Sequence, residues 1–153
     1  MSSPEQRLAD KGLSIPEVAK PVASYVPAVR TGNYVLTSGQ LPLREGKLLY
    51  TGKVGGGVSE DEGYEAARQC ALNALAAVRA EIGDLSAVTR VVKATVFVAS
   101  TPHFTAQPQV ANGASELLGE AFADVGQHSR SAVGVAVLPL DAPVEVELMV
   151  EVS

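Results

Sequence analysis

Two charged residues near the C-terminal end carry the clearest chemical suggestion. In GQHSRSAVGVAVLP, residues 126 to 139, Arg130 stands between the hydroxyls of Ser129 and Ser131, and no other charge follows until Asp141. A guanidinium without an acidic neighbour is free to clamp a carboxylate or phosphate through two parallel hydrogen bonds. Glu145 opens the stretch VEVELMVEV, just after Pro139 and Pro143. A carboxylate there can orient or deprotonate a water molecule. An anion clamp and a water activator together suit hydrolysis of a small anionic compound. On the residues alone, Arg130 also reads as a solvated strand cap and Glu145 as an ion-pair partner on a solvated strand face.

Other chemistry-bearing residues point to no familiar centre. Ser38 lies in TSGQ, which is not the GxSxG elbow of a serine hydrolase. His103 and His128 are too far apart in sequence to suggest a metal site, and each reads as a loop histidine. The single cysteine, Cys70, falls on an apolar helical stripe, where packing explains it. One cysteine excludes an intramolecular disulfide and any metal site with two thiolates. GKVGGG has the glycines of a phosphate loop without its Gly-Lys-Ser/Thr ending, so it reads as a flexible hairpin. No metal and no cofactor are expected.

The elements that must position Arg130 and Glu145 follow from periodicity. PEQRLADK, residues 4 to 11, reads as a short helix with Ser3 as cap and Pro4 in its first turn. Pro16, Pro21 and Pro27 keep residues 13 to 28 extended on the surface of the domain. A strand covers 33–40, with Gly39 at its end or at a bulge, and a short ribbon is placed near Leu48 to Thr51. In residues 59 to 84, Ser59 and Glu62 form a capping box. There Tyr64, Ala67, Cys70, Ala71, Ala74, Leu75, Val78 and Ile82 make one apolar stripe, and Gly83 closes the helix. A strand over 91–100 is apolar enough for both faces to be covered. A second helix spans about 106–123, and strands over 131–138 and 144–152 finish the chain.

Two helices interleaved with strands predict an α+β fold, one mixed sheet with both helices on one face. The other face then carries Glu145, Glu147, Met149 and Glu151, and an open sheet face of this size predicts self-association. At 153 residues, 46% of them hydrophobic, the chain suits one domain with a substantial core, packed from Val, Ala and Leu because aromatics are few. The net charge of −5 and the absence of a basic cluster argue against a nucleic-acid partner. No apolar run approaches the roughly 20 residues that span a bilayer, and the N-terminus lacks a signal-peptide core. A soluble, cytoplasmic protein is expected.

Four stretches together resemble the RidA (YjgF) family of reactive-intermediate deaminases: YVPAVRTGNYVLTSGQLP, the helix around QCALNALAAV, VVKATVFVAS and SRSAVGVAVLPLDAPVEVE. The resemblance runs over residues 22 to 152, with residues 1–21 as an N-terminal helix and extended segment of the same domain. This longer N-terminal segment and NGASELL are similar to a less studied branch. The resemblance implies a chorismate-mutase-like fold and a homotrimer with ligand clefts between subunits. It also implies hydrolysis of small 2-imino or enamine acids to 2-oxo acids and ammonia, without a cofactor. By the same resemblance Arg130 binds the substrate carboxylate and Glu145 positions water. Tyr25 and Ser38 match cleft-lining positions, Ala132 stands where the deaminases have a cysteine acting through its backbone, and Asn112 matches a ligand-contacting asparagine with the spacing off by one. The family's Ser-Gln after the tyrosine is Val26-Pro27 here, and a family glutamate is Gly134, so the cleft differs in size and polarity.

If the last two strands form a plain hairpin, Arg130 faces Val152 and lies on the order of 25 Å from Glu145. Either the connection is not a hairpin or the two residues meet across a subunit boundary; the oligomeric reading predicts the second. A non-catalytic carboxylate-binding protein using the same cleft is the alternative function. An endoribonuclease is disfavoured by the acidic charge and the lack of paired histidines.

Overall fold

Helix formation is decided where the sequence places its caps. Glu62 N donates to Ser59 Oγ at 3.1 Å while Ser59 N donates to Glu62 Oε1 at 2.9 Å, so a reciprocal capping box opens the long helix α2 (Glu60–Ile82). Gly83, at φ 87°, ends it. The structure, a computed structural model, describes residues 2–21 and 23–153. Met1 and Val22, where the two predicted segment limits fall, lie outside the described residues.

In chain order the elements are α1 (Pro4–Ala9), β1 (Ala28–Thr31), β2 (Tyr34–Thr37), the ribbon β3 (Leu43–Arg44) and β4 (Lys47–Leu48), then α2. They continue with β5 (Val88–Ala99), α3 (Gln107–Phe122), β6 (Ser129–Val135) and β7 (Val144–Val152). The main sheet runs β1-β2-β7-β5-β6, with β5 and β6 the parallel pair and the other neighbours antiparallel. Both long helices cover one face, as predicted. Val144, Val146, Leu148, Val150 and Val152 point into them, and all five are buried.

The α2–α3 contact is close because glycine permits it. A β-carbon on Gly113 would stand 2.1 Å from the Tyr64 carbonyl oxygen, which belongs to the backbone of α2 and cannot swing aside. Gly113→Ala is therefore expected to lower stability by about 3 kcal/mol, as overpacking against a rigid neighbour does. Gly119→Ala, on the same helix with open space around it, should instead gain about 0.5–1 kcal/mol. Urea unfolding of both variants reads the difference.

Several predicted features differ from the observed ones. The strand β1 was not anticipated: three of its four residues are exposed, so no alternation marks it. The ribbon lies earlier than expected, because Glu45 and Gly46, both at positive φ, make its two-residue turn. Burial on α2 exceeds the predicted stripe and includes Leu72, Asn73, Ala76 and Ala77. The extended N-terminal segment straps the helix here. Leu8 is fully buried, and Arg79 pairs with Glu5 at 2.9 Å and donates to the carbonyls of Ile15 and Pro16. The strand β5 is covered on one face only; Thr95 and Phe97 are half-buried and Lys93 is exposed on the other. On this open face Val29, Leu36 and Val133 are exposed at 53%, 42% and 44%.

The hairpin between the last two strands does not exist. β5 lies between β6 and β7, with Phe97 aligned to Val133 on one side and to Glu145 on the other. β6 also begins at Ser129 and stops at Val135, earlier than expected, because the chain leaves the edge there to cross the end of β5. Ala99 N donates to Pro143 O at 2.9 Å and marks that crossing.

Candidate active site

Arg130 aligns with Ala94 of β5, so its side chain leaves the sheet on the helix-covered face, at the free edge that β6 forms. There α3 receives it. Nη1 donates to Asn112 Oδ1 at 2.8 Å and to Ser115 Oγ at 3.2 Å, and Nη2 approaches the Pro108 carbonyl oxygen at 3.4 Å. Asn112 and Ser115 are one helical turn apart and therefore share a face. Among the described residues, ion pairs form only between Arg68 and Glu120 and between Arg79 and Glu5. Arg130 is thus held by neutral acceptors and keeps its charge uncompensated. It opens onto a groove of about 440 Å³ lined by Asn112, Ser115, Gly119, Gly126, His128 and Arg130.

Ala132 is half-buried on the same face, two residues along the edge strand. Its methyl packs on the core. Because the Val135 carbonyl accepts from Ser100 N on the β5 side, the alternation of a strand backbone turns the N–H and C=O of Ala132 outward, unpaired by the sheet. Gly134 follows. A β-carbon there would meet Gln107 Nε2 at 2.8 Å, so the Gln107 amide occupies the space above Gly134. That amide donates to Ser100 Oγ and the Phe104 carbonyl.

Glu145 lies on the opposite, open face of the sheet. Its carboxylate is folded against the backbone of Gly39: a β-carbon on that glycine would stand 1.9 Å from Oε2. Gly39 therefore makes room for the acid, a stronger requirement than ending a strand. Burial raises the Glu145 carboxyl from its ordinary value, and the charge of Glu147 adds to the rise. A group whose pKa is raised on folding contributes full stability below its unfolded value and loses it as pH climbs through the folded value. Glu145→Gln is accordingly expected to raise the urea midpoint at pH 7, with the difference closing by about pH 4. Denaturation at both pH values checks this.

Ser38 and Tyr25 belong to this second group. Ser38 Oγ donates to the Val26 carbonyl at 2.6 Å, and Ser38 N donates to the Pro27 carbonyl at 2.8 Å. These bonds fasten the loop that presents Tyr25, which is 45% exposed and shares a small cleft with Lys20, Gly39 and Gln40. Cys70 is buried with Sγ 3.5 Å from the Val144 carbonyl. Burial, then the charge of Glu145, pushes its thiol well up, which leaves it unreactive. Among the described residues, no three His, Cys, Asp or Glu side chains gather as a metal ion would need.

The six residues singled out from sequence thus form two separate groups. Arg130, Asn112 and Ala132 gather at the β6 edge; Glu145, Tyr25 and Ser38 gather beside β2 and the open face. Arg130 aligns through β5 with Leu148, three residues from Glu145. Two strand spacings and that offset give about 14 Å between their α-carbons, on opposite faces. Within one chain they do not meet. Sequence reasoning missed Ser115, whose signal is its spacing of three from Asn112, and His128, which contacts Ser115.

Comparison with known proteins agrees with this architecture. Residues 5–152 match the family model described as "YjgF/chorismate mutase-like, putative endoribonuclease". The chain is 46% identical over 143 residues to protein TCP17 of Trypanosoma cruzi, covering 93% of this chain and 89% of that one. It is 32% identical over 141 residues to a 2-iminobutanoate/2-iminopropanoate deaminase of Dermatophagoides farinae, covering 92% and 95%. The crystal structure of Atu1372, a protein of unknown function from Agrobacterium tumefaciens, superposes with a TM-score of 0.93 at 44% identity, over 98% and 92% of the two chains. No helix among the described residues is long and apolar enough to cross a membrane. The mixed sheet with two helices on one face is the chorismate-mutase-like fold of YjgF proteins, and by a match that runs through nearly its whole length the chain belongs to the YjgF/RidA family.

Proposed function

We propose that this protein hydrolyses small 2-imino or enamine acids to 2-oxo acids and ammonia, in clefts formed between the subunits of a homotrimer. The observation that carries the reading is Arg130: a guanidinium fixed by neutral acceptors, with no carboxylate in ion-pair distance, beside outward-facing backbone groups of Ala132. The deaminase relative supports the substrate class. The trimer accounts for the two half-sites: the Arg130, Asn112 and Ala132 edge of one subunit faces the Glu145, Tyr25 and Ser38 group of its neighbour. It also covers the exposed Val29, Leu36 and Val133 of the open face.

The chemistry follows from the groups present. Arg130 holds the substrate carboxylate through its Nε and Nη2 edge. The backbone at Ala132 and the neighbour's Ser38 orient the imine, and Tyr25 closes the cleft. Glu145, whose affinity for protons is raised by burial, takes a proton from water as its oxygen adds to the imine carbon. Glu145 returns that proton to nitrogen to give the carbinolamine, then takes the proton of the new hydroxyl as the carbonyl forms and passes it to the departing nitrogen, so that ammonia leaves. Imines hydrolyse unaided, so positioning supplies a sufficient rate gain.

Freshly generated 2-iminopropanoate and 2-iminobutanoate, mixed with the purified protein, test the reading. Faster release of the 2-oxo acid is the expected result. Tight retention of 2-oxobutanoate without any acceleration would instead establish a carboxylate-binding protein, an outcome that Gly134 and Val26-Pro27 make specific to this chain's cleft. Salt-sensitive RNA cleavage in place of either would return the nuclease label to consideration.

A further inference from the structure

Behind Arg130 lies a hydrogen-bond chain that the chemistry above does not use. Ser115 Oγ, which accepts from Arg130 Nη1, lies 2.9 Å from His128 Nε2, and His128 Nδ1 lies 2.7 Å from the Gly126 carbonyl oxygen. A guanidinium only donates and a carbonyl only accepts, so the two ends fix Arg130 as donor to Ser115 and His128 Nδ1 as donor to Gly126. Ser115 accepts from Arg130 and sends its own hydroxyl proton to His128. Nδ1 must carry the ring proton to satisfy Gly126, which leaves Nε2 as the acceptor that Ser115 needs. In the Nδ1–H tautomer the bonds run in one direction, from Arg130 through Ser115 and His128 to Gly126.

This chain has a consequence at the fork. Both hydrogens of Arg130 Nη1 are committed, one to Asn112 and one to Ser115. Nη2 gives one hydrogen to the Pro108 carbonyl oxygen and keeps a second, so the Nε–H and Nη2–H edge is the side left for an incoming carboxylate, in the parallel geometry that two-point recognition requires. Without an acceptor for its proton, the Ser115 hydroxyl turns, and the rotation of the guanidinium loses one of its two stops. No carboxylate lines this groove to replace it.

We infer that His128 is a positioning residue, which fixes the Arg130 guanidinium through Ser115 and thereby sets the affinity of the site for the substrate carboxylate. The inference rests on the reading of Arg130 as the carboxylate clamp. It assigns a role to a histidine that sequence alone left as a loop residue. A purely architectural histidine, tying the start of β6 to α3, would touch the same atoms, so the test must separate the two.

The full-length protein is assayed with 2-iminobutanoate and, separately, for binding of 2-oxobutanoate. His128→Ala is expected to raise KM and the 2-oxobutanoate Kd about tenfold while kcat changes less than twofold, the signature of lost anchoring. Ser115→Ala should do the same, and the double variant should be no worse than either single one, because the two act in series. His128→Gln, which restores an acceptor for the Ser115 proton, should recover most of the affinity. Wild-type affinity in His128→Ala, additive losses in the double variant, equal falls in kcat and affinity, or no rescue by glutamine would each overturn the assignment. If Arg130→Ala binds 2-oxobutanoate as well as the wild type, the clamp reading itself has failed; if Arg130→Ala loses binding and His128→Ala does not, only this inference has.

Discussion

Arg130→Ala is expected to lose at least about a hundredfold in kcat/KM toward 2-iminopropanoate while the protein stays folded. The estimate follows from the fork. Two charge-assisted hydrogen bonds, each worth about 1.5–3 kcal/mol, are withdrawn together, and every 1.4 kcal/mol is a factor of ten. Stability should change by less than about 1 kcal/mol, since the guanidinium is part-exposed at a sheet edge and its partners Asn112 and Ser115 are reachable by water. Arg130→Lys separates charge from geometry. An ammonium keeps the attraction but presents no planar fork, so it should recover a fraction of the loss and no more. Turnover unchanged in Arg130→Ala would remove the anchor from the mechanism altogether.

What the sequence discloses about this site, and what it conceals, has a physical pattern. The helices were legible to within a residue or two: α2 because its ends carry chemistry of their own, Ser59 with Glu62 at one end and Gly83 at the other, and α3, which has no side-chain cap, through its apolar period. The last strand was legible because strict alternation of aliphatic residues with three glutamates and a methionine fixes which residues share a face. Arg130 and Glu145 stood out as charges at the starts of apolar strands. Their relation to each other was not legible. It depends on β5 inserting between β6 and β7, and nothing local in VLPLDAP distinguishes a crossover from a hairpin. Likewise, Gly39 could be read as a strand ending, but its function as a seat for the Glu145 carboxylate exists only in three dimensions. Burial of Asn73 and Ala76 depends on coverage from distant segments, which no helical period records. Pairings between distant segments, and the room that one residue leaves for another, are where sequence reading runs out.

The separation of the two half-sites leads to the largest effect of all, a gain of activity from two inactive proteins. Arg130→Ala and Glu145→Gln, each made as a homotrimer, should both fall to the background rate of imine hydrolysis. Produced together in one cell and purified as mixed trimers, they should recover activity. In the proposed trimer each cleft takes its arginine from one subunit and its glutamate from the next. A cleft works when the first is a Glu145→Gln chain, with its arginine intact, and the second an Arg130→Ala chain, with its glutamate intact. Random assortment makes that true of about a quarter of clefts in a closed ring of three. Recovery near a quarter of the wild-type rate is therefore expected. The same-chain arrangement predicts none, because every chain in the mixture lacks one of the two groups. The distinction does not depend on the absolute rate of either variant, and the purified single-variant trimers provide the baseline. Backbone geometry already argues for the result: about 14 Å and the intervening strand β5 separate the α-carbons within a chain, and the side chains leave opposite faces of the sheet. An arginine and a glutamate so placed can act on one small acid only if a second copy of the chain carries its Glu145 to the first copy's β6 edge.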